Sequence, residues 1–228
     1  RKTFVSRVAS GDWDAVIIAH SSYGRIDVDP AERAAFVHQQ VADLSESISN
    51  LRAESGKNDL SVKELEKAKT RLETNLKNLL AEGRKDDSIY WDELGVDAVM
   101  VDEAQEFKKL AFQTSMTRVL NVPKEGSQRA MDLFLKTRGV LKATGGRNIV
   151  FATGTPISNT MAEMFVLQRY LGAAALANDG LSHFDAWARS FGEVVTEWEL
   201  LPSQKYGQRS RFKRFVNLPE LMQRYMAF

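Results

Sequence analysis

The sequence predicts an α/β fold: a parallel sheet with flanking helices and an inserted antiparallel helical hairpin. Three observations carry this expectation. Asp97 to Val101 is a short apolar run that ends abruptly in two carboxylates, Asp102 and Glu103. Asn148 to Ala152 is a second apolar run, ending in the polar turn Thr153-Gly154-Thr155-Pro156. The stretch between them carries a helical pattern, which is the crossover that neighbouring parallel strands require. A buried parallel strand with acids at its carboxyl end is where an open α/β sheet places ligand chemistry. At such a place Asp102 is a hard oxygen donor suited to magnesium held through its water shell. Glu103 is a group that orients or deprotonates a water attacking a phosphate. The competing reading is a strand followed by a solvated acidic turn.

A chain of 228 residues is long enough for one large domain, or a domain with an appendage. With 43% apolar and 27% charged residues it has an ordinary globular composition. The net charge of +1 does not decide for or against nucleic acid, because distribution matters more than the sum. From Gln204 to Arg224 there are six Arg or Lys residues against the single acid Glu220, so that end is locally basic. The absence of cysteine excludes disulfides and cysteine-ligated zinc, and is compatible with a cytoplasmic location. No apolar run reaches the length of a membrane span, and no signal peptide opens the chain. The first residue is Arg1, and we expect a piece of a longer protein.

Taken in order, Asp14 to Ala19 reads as a buried strand. The following His20-Ser21-Ser22-Tyr23-Gly24-Arg25 reads either as a ligand-facing loop or as a plain turn with a helix cap. His20 has no nearby serine and acid to form a triad, so a structural role is expected. Asp29-Pro30-Ala31-Glu32 starts a helix with a cap, a first-turn proline and an acid. Val37, Val41, Leu44, Ile48 and Leu51 give it an apolar seam, and residues 55–59 break it. Ser61-Val62-Lys63-Glu64 reads as a capping box for a second helix with seam Val62, Leu65, Leu72, Leu76 and Leu79, ending at Gly83. Two heptad-patterned helices joined by a short turn form an antiparallel hairpin. It serves as a passive arm, or as a surface that binds a partner or guides DNA.

Trp91 and Leu94 are expected to pack beneath the acid-bearing strand. The stretch 114–126 reads as loop, and Ser127 caps a helix that runs to Leu141 and makes the crossover. Ser158 or Asn159 is expected to cap a helix to Leu171, followed by a small-residue loop from Gly172 to Gly180. Ser182 opens another helix, with Phe184, Trp187, Ala188 and Phe191 facing inward. His183, at its start, has no companion that suggests a metal. Tyr206 to Val216 alternates weakly, and Asn217-Leu218-Pro219-Glu220 opens a final helix.

Asp102-Glu103-Ala104-Gln105 resembles motif II, the Walker B motif, of superfamily 2 helicases and translocases. Phe151-Ala152-Thr153-Gly154-Thr155-Pro156-Ile157-Ser158-Asn159 resembles motif III in the form typical of the Swi/Snf-like branch. The resemblance covers about Asp14 to Tyr170. It implies a partial RecA-like motor lobe at 1–28 and 84–172, with the hairpin inserted at 29–83 and a helical, basic extension at 173–228. It implies ATP and Mg2+ as cofactors of an intact parent, with none expected on the fragment alone. Asp102 would organise the magnesium and Glu103 the attacking water. Gln105, Thr153, Gly154 and Thr155 would couple nucleotide state to the DNA-facing side. DNA, double-stranded for preference, would lie near Ser21, Ser22 and Arg25, near Lys108 and Lys109, and along Arg209, Arg211, Lys213 and Arg214. For each basic group the alternative is a solvated surface charge.

The sequence departs from the family pattern at three points. It has no glycine-rich loop ending in Gly-Lys-Thr or Gly-Lys-Ser, and it lacks the arginine-bearing motif of a second lobe. Gln105 stands where His or Asp is commoner. The resemblance therefore implies a missing N-terminal segment and a missing second lobe as partners, and a fragment that does not hydrolyse ATP by itself. Two rival readings are a non-catalytic DNA-binding or scaffold module, and the helicase-like part of an adenine-specific DNA methylase protein. No Asn-Pro-Pro-Tyr-type run supplies the methylase chemistry within this chain.

Overall fold

The computed structural model describes residues 2–55, 60–82, 89–116, 119–123, 126–200 and 205–228. In chain order its elements are α1 (Lys2–Ser10), α2 (His20–Tyr23), α3 (Pro30–Ser55), α4 (Leu60–Glu82), β1 (Val99–Val101), α5 (Gln128–Ala143), β2 (Ile149–Phe151), α6 (Ala162–Leu171), α7 (Ala173–Asn178), α8 (Phe184–Phe191), β3 (Gly192–Leu200), β4 (Tyr206–Phe215) and α9 (Leu218–Tyr225). Short 3₁₀ turns precede β1 at Trp91–Leu94 and follow it at Ala104–Phe107. The chain is α/β and forms two compact units, Arg1–Val101 with Met131–Val150, and Asp102–Ala130 with Phe151–Phe228. No helix among the described residues is long and apolar enough to cross a membrane.

The first unit holds the start of the parallel pair and the helical hairpin. The β1 and β2 strands are neighbours, with Val99 N–H donating to Asn148 O at 2.9 Å. The Asn148 side chain adds a bond to Asp97 O at 3.0 Å. Val99 and Val101 are buried while Met100 between them is exposed, the alternation expected of a strand covered on one face. In α3, Asp29 Oδ1 accepts the Ala31 N–H at 2.8 Å, so the expected cap forms. Leu44 and Ile48 of α3 meet Val62 and Leu65 of α4, with Leu51, Ala68 and Leu72 packed around them. An Arg52–Glu66 ion pair also joins the two helices. The expected break at 56–59, the Ser61 side-chain cap and the Gly83 stop lie outside the described residues.

The expected strand at Asp14 to Ala19 does not form. The segment has no regular secondary structure, Ile17 is 100% exposed and no described strand pairs with it. An apolar run becomes a strand only where another edge accepts its N–H and C=O groups.

Lys136 of α5 is the most deeply buried charge of this unit, at 0% exposure. Its Nζ donates to Asp132 Oδ2 at 2.6 Å and to Tyr23 O at 2.8 Å. It also lies 4.1 Å from the centre of the Tyr23 ring. Arg33 stands 3.8 Å from the other Asp132 oxygen. Burial pushes the Asp132 carboxyl above its ordinary value and the Lys136 ammonium below its own, each against the pull of the partner. A raised acid favours folding below its unfolded pKa, and that contribution is lost as pH rises through the folded value. A lowered lysine favours folding above its unfolded pKa, and that contribution is lost as pH falls through the folded value. Lys136→Met alone is expected to destabilise the chain by about 3–5 kcal/mol, because Asp132 stays buried without its main partner. Asp132→Leu combined with Lys136→Met is expected to cost less than Lys136→Met alone. Urea unfolding of the three proteins checks both statements.

The second unit is built on an aromatic core. Phe165 of α6, Phe184, Trp187 and Phe191 of α8, Phe212 of β4 and Leu221 of α9 are all buried in one cluster. Trp187 Nε1 donates to Gln168 Oε1 at 2.7 Å, which fixes α8 against α6. The inward face expected for α8 is therefore the observed one. Two local expectations are revised here. Gly172 to Gly180 is not a plain loop, because Ala173–Asn178 forms α7. An alanine-rich run loses almost no side-chain entropy in a helix. Helix α6 begins at Ala162 rather than at Ser158 or Asn159. The weakly alternating segment before α9 is β4, paired antiparallel along its length with β3.

Candidate active site

The site is built from two turns of the second unit, one following β1 and one following β2. Asp102 and Glu103 leave β1 directly and both are exposed. Glu103 has φ 50 and ψ 45, the left-handed conformation that non-glycine residues seldom adopt. Asp102 Oδ1 accepts the Glu103 N–H at 3.0 Å, a local bond that supports the reversal. Ala104–Phe107 then winds into a 3₁₀ turn with Ala104 and Phe107 buried beneath it. The Ala104 N–H donates to Ala152 O at 3.0 Å and sets the two turns side by side.

Gln105 connects the acid turn to the threonine turn. Thr153 Oγ1 donates to Gln105 Oε1 at 2.6 Å, across 48 positions of sequence. That bond orients the amide so that Gln105 Nε2 donates to Glu103 Oε2. Thr153 Oγ1 also accepts the Thr155 N–H at 3.1 Å, which closes its own turn. Gly154 sits between them on the surface, where an added Cβ would meet nothing within 4 Å. The fold itself therefore places no demand for glycine at 154.

Asp102 is the carboxylate that the sequence reading assigned to magnesium. No group of three or more His, Cys, Asp or Glu residues able to hold a metal occurs among the described residues. Asp102 offers one hard carboxylate with one oxygen engaged by a backbone N–H. Magnesium bound there would complete its shell with water and phosphate oxygens, as it commonly does at phosphate-transferring sites.

The expected nucleic-acid residues are dispersed. Ser21 and Ser22 on α2, and Arg25 just after it, are exposed in the first unit. Lys109 is exposed in the second. Lys108 is not beside solvent: it is 7% exposed and its Nζ lies 3.3 Å from Glu163 Oε2. A buried, ion-paired ammonium does not suit a phosphate contact, so that expectation is corrected. On the β3–β4 hairpin, Arg211 is clamped by both Glu199 oxygens at 2.8 and 2.7 Å. The Arg211 hydrogen bond holds the Glu199 carboxyl below the usual carboxylate range. Lys213 pairs with Glu197 at 2.8 Å and Arg214 approaches Glu193 at 3.9 Å. The basic stripe is thus largely balanced by acids of β3, and Arg209 is exposed with no ion pair among the described residues.

Sequence reasoning missed Glu163 and gave Ser158 no tie to Lys108. The Glu163 carboxylate accepts the N–H groups of Ser158 at 2.7 Å and Asn159 at 3.3 Å. An acid in the first turn of a helix reaching back to exposed N–H groups is a known capping pattern, and it was legible in principle.

A family model described as a probable helicase domain matches residues 1–228. No curated protein and no solved structure matches the chain. The match spans the whole chain, including both turns and the helical hairpin, and the chain belongs to the probable helicase domain family.

Proposed function

We propose that this chain supplies the acid turn and the threonine turn of an ATP-driven DNA translocase of the superfamily 2, Swi/Snf-like kind. The observation that carries the reading is the Thr153–Gln105–Glu103 chain of hydrogen bonds. It links a group suited to activating water with a turn on a different strand. When bound, Mg2+ and ATP supply a polarised γ-phosphate. Asp102 would be the oxygen donor that holds the metal. Glu103 orients the attacking water and takes its proton, and its carboxylate is aimed by Gln105. Thr153 holds the Gln105 amide, so a shift in either turn is felt in the other. The reading requires a phosphate-binding loop and a second lobe that these residues do not supply.

The test compares the chain with its full-length parent in DNA-stimulated ATP turnover. The isolated chain should show none, and the parent should hydrolyse ATP faster with duplex DNA than without. A parent that binds DNA but shows no ATP turnover would remove the reading.

A further inference from the structure

Lys108 stands five residues after Glu103 and takes no part in the chemistry described above. Its side chain is nevertheless among the most enclosed charged groups of the second unit, 5% exposed, opposite a Glu163 side chain that is 7% exposed. Nζ donates to Ser158 Oγ at 2.9 Å, across 50 positions of sequence. The Glu163 oxygen that faces it also accepts two backbone N–H groups from the threonine-turn side. A buried carboxylate needs that many donors to offset its lost hydration. A methionine would fill the same space without any ion to satisfy. The pair is therefore an expensive way to pack this place, and its geometry points elsewhere.

The segment from Ala152 to Asn159 is tied at three points to the segment from Ala104 to Lys108. Ala152 is bonded by Ala104, Thr153 by Gln105, and Ser158 by Lys108. The first and last of these bracket the middle one. We propose that Lys108 is a positioning residue: with Glu163 and Ser158 it fixes the far end of the threonine turn, so that Thr153 keeps Gln105 and Glu103 aligned. The inference rests on the proposed function and adds a residue to it. Misplacement of about 1 Å at a site of this kind lowers turnover by about 10²-fold.

The test uses the full-length parent with Lys108→Met, Glu163→Gln, the double variant and Lys108→Arg. Lys108→Met should lower kcat by roughly 10- to 100-fold, with KM for ATP within about twofold of the unaltered protein. Glu163→Gln should do the same, and the double variant should be no worse than either, since both remove one tie. Lys108→Arg, which keeps the charge, should recover part of the loss. If Lys108→Met does not fold, as judged by circular dichroism, the isosteric Glu163→Gln and Lys108→Arg decide the matter. An unchanged kcat, a change confined to KM, or losses that multiply in the double variant would overturn the assignment. Glu103→Gln run in parallel separates the two levels. If it abolishes turnover while Lys108→Met does not, only the role of Lys108 fails. If it leaves turnover intact, the role given to Glu103 fails, whereas a parent without any ATP turnover removes the proposed function itself.

Discussion

Glu103→Gln in the full-length parent is expected to lower ATP turnover by roughly 10²–10⁴-fold while ATP binding persists. The substitution changes chemistry with little change of shape. A glutamine Oε1 accepts the Gln105 Nε2 bond that Glu103 Oε2 now accepts. The backbone at 103 is already in its left-handed conformation, and Asp102 still accepts the N–H of residue 103. What disappears is the ability to take a proton from water. Nucleotide affinity measured by equilibrium titration, set against kcat from steady-state turnover, checks the split. Turnover within about threefold of the unaltered enzyme would place the base elsewhere, because general-base removal is far larger than that.

Trp187→Ala is expected to destabilise the second unit by about 3–5 kcal/mol. Trp187 is 0% exposed and lies among Phe165, Phe184, Phe191 and Phe212, with ring centres 5.6 to 6.4 Å away. Its removal leaves a cavity where aromatic rings from α6, α8 and β4 converge. It also takes the donor from Gln168 Oε1, in a buried amide whose Nε2 already lacks a hydrogen-bond partner. Trp198→Ala is the control, since Trp198 is 67% exposed on β3 and should shift stability by no more than about 0.5 kcal/mol. Hydrogen exchange of the α6 and α8 amides, compared with that of α3, reads the loss in the second unit. Equal protection in both variants would contradict the central place given to Trp187.

Residues whose partners lie close along the chain were the readable ones. Asp29 caps its own helix two residues on, and Ser127 Oγ accepts the Ala130 N–H at 3.1 Å. The α3 and α4 seams are repeats within single helices, and Leu44, Ile48, Val62 and Leu65 meet as those repeats require. The α8 face follows the same logic. Asp14 to Ala19 failed because apolarity marks a segment as buried-strand material without supplying the edge that completes it. The β3 strand was overlooked because its Glu193, Glu197 and Glu199 mimic a solvated surface. Only its pairing with β4 brings them to Arg214, Lys213 and Arg211 respectively, through ion pairs across the hairpin.

By itself the sequence determined the α/β class, the helical hairpin, and the two polar turns at 102 and 153, because each is written in adjacent residues and in short-period apolar patterns. Tertiary structure alone decided which charges are available. Lys108 and Lys109 are neighbours of identical chemistry, yet one is buried against Glu163 and the other is exposed. A charge's surroundings are set by side chains far away in sequence, and its desolvation depends on all of them at once.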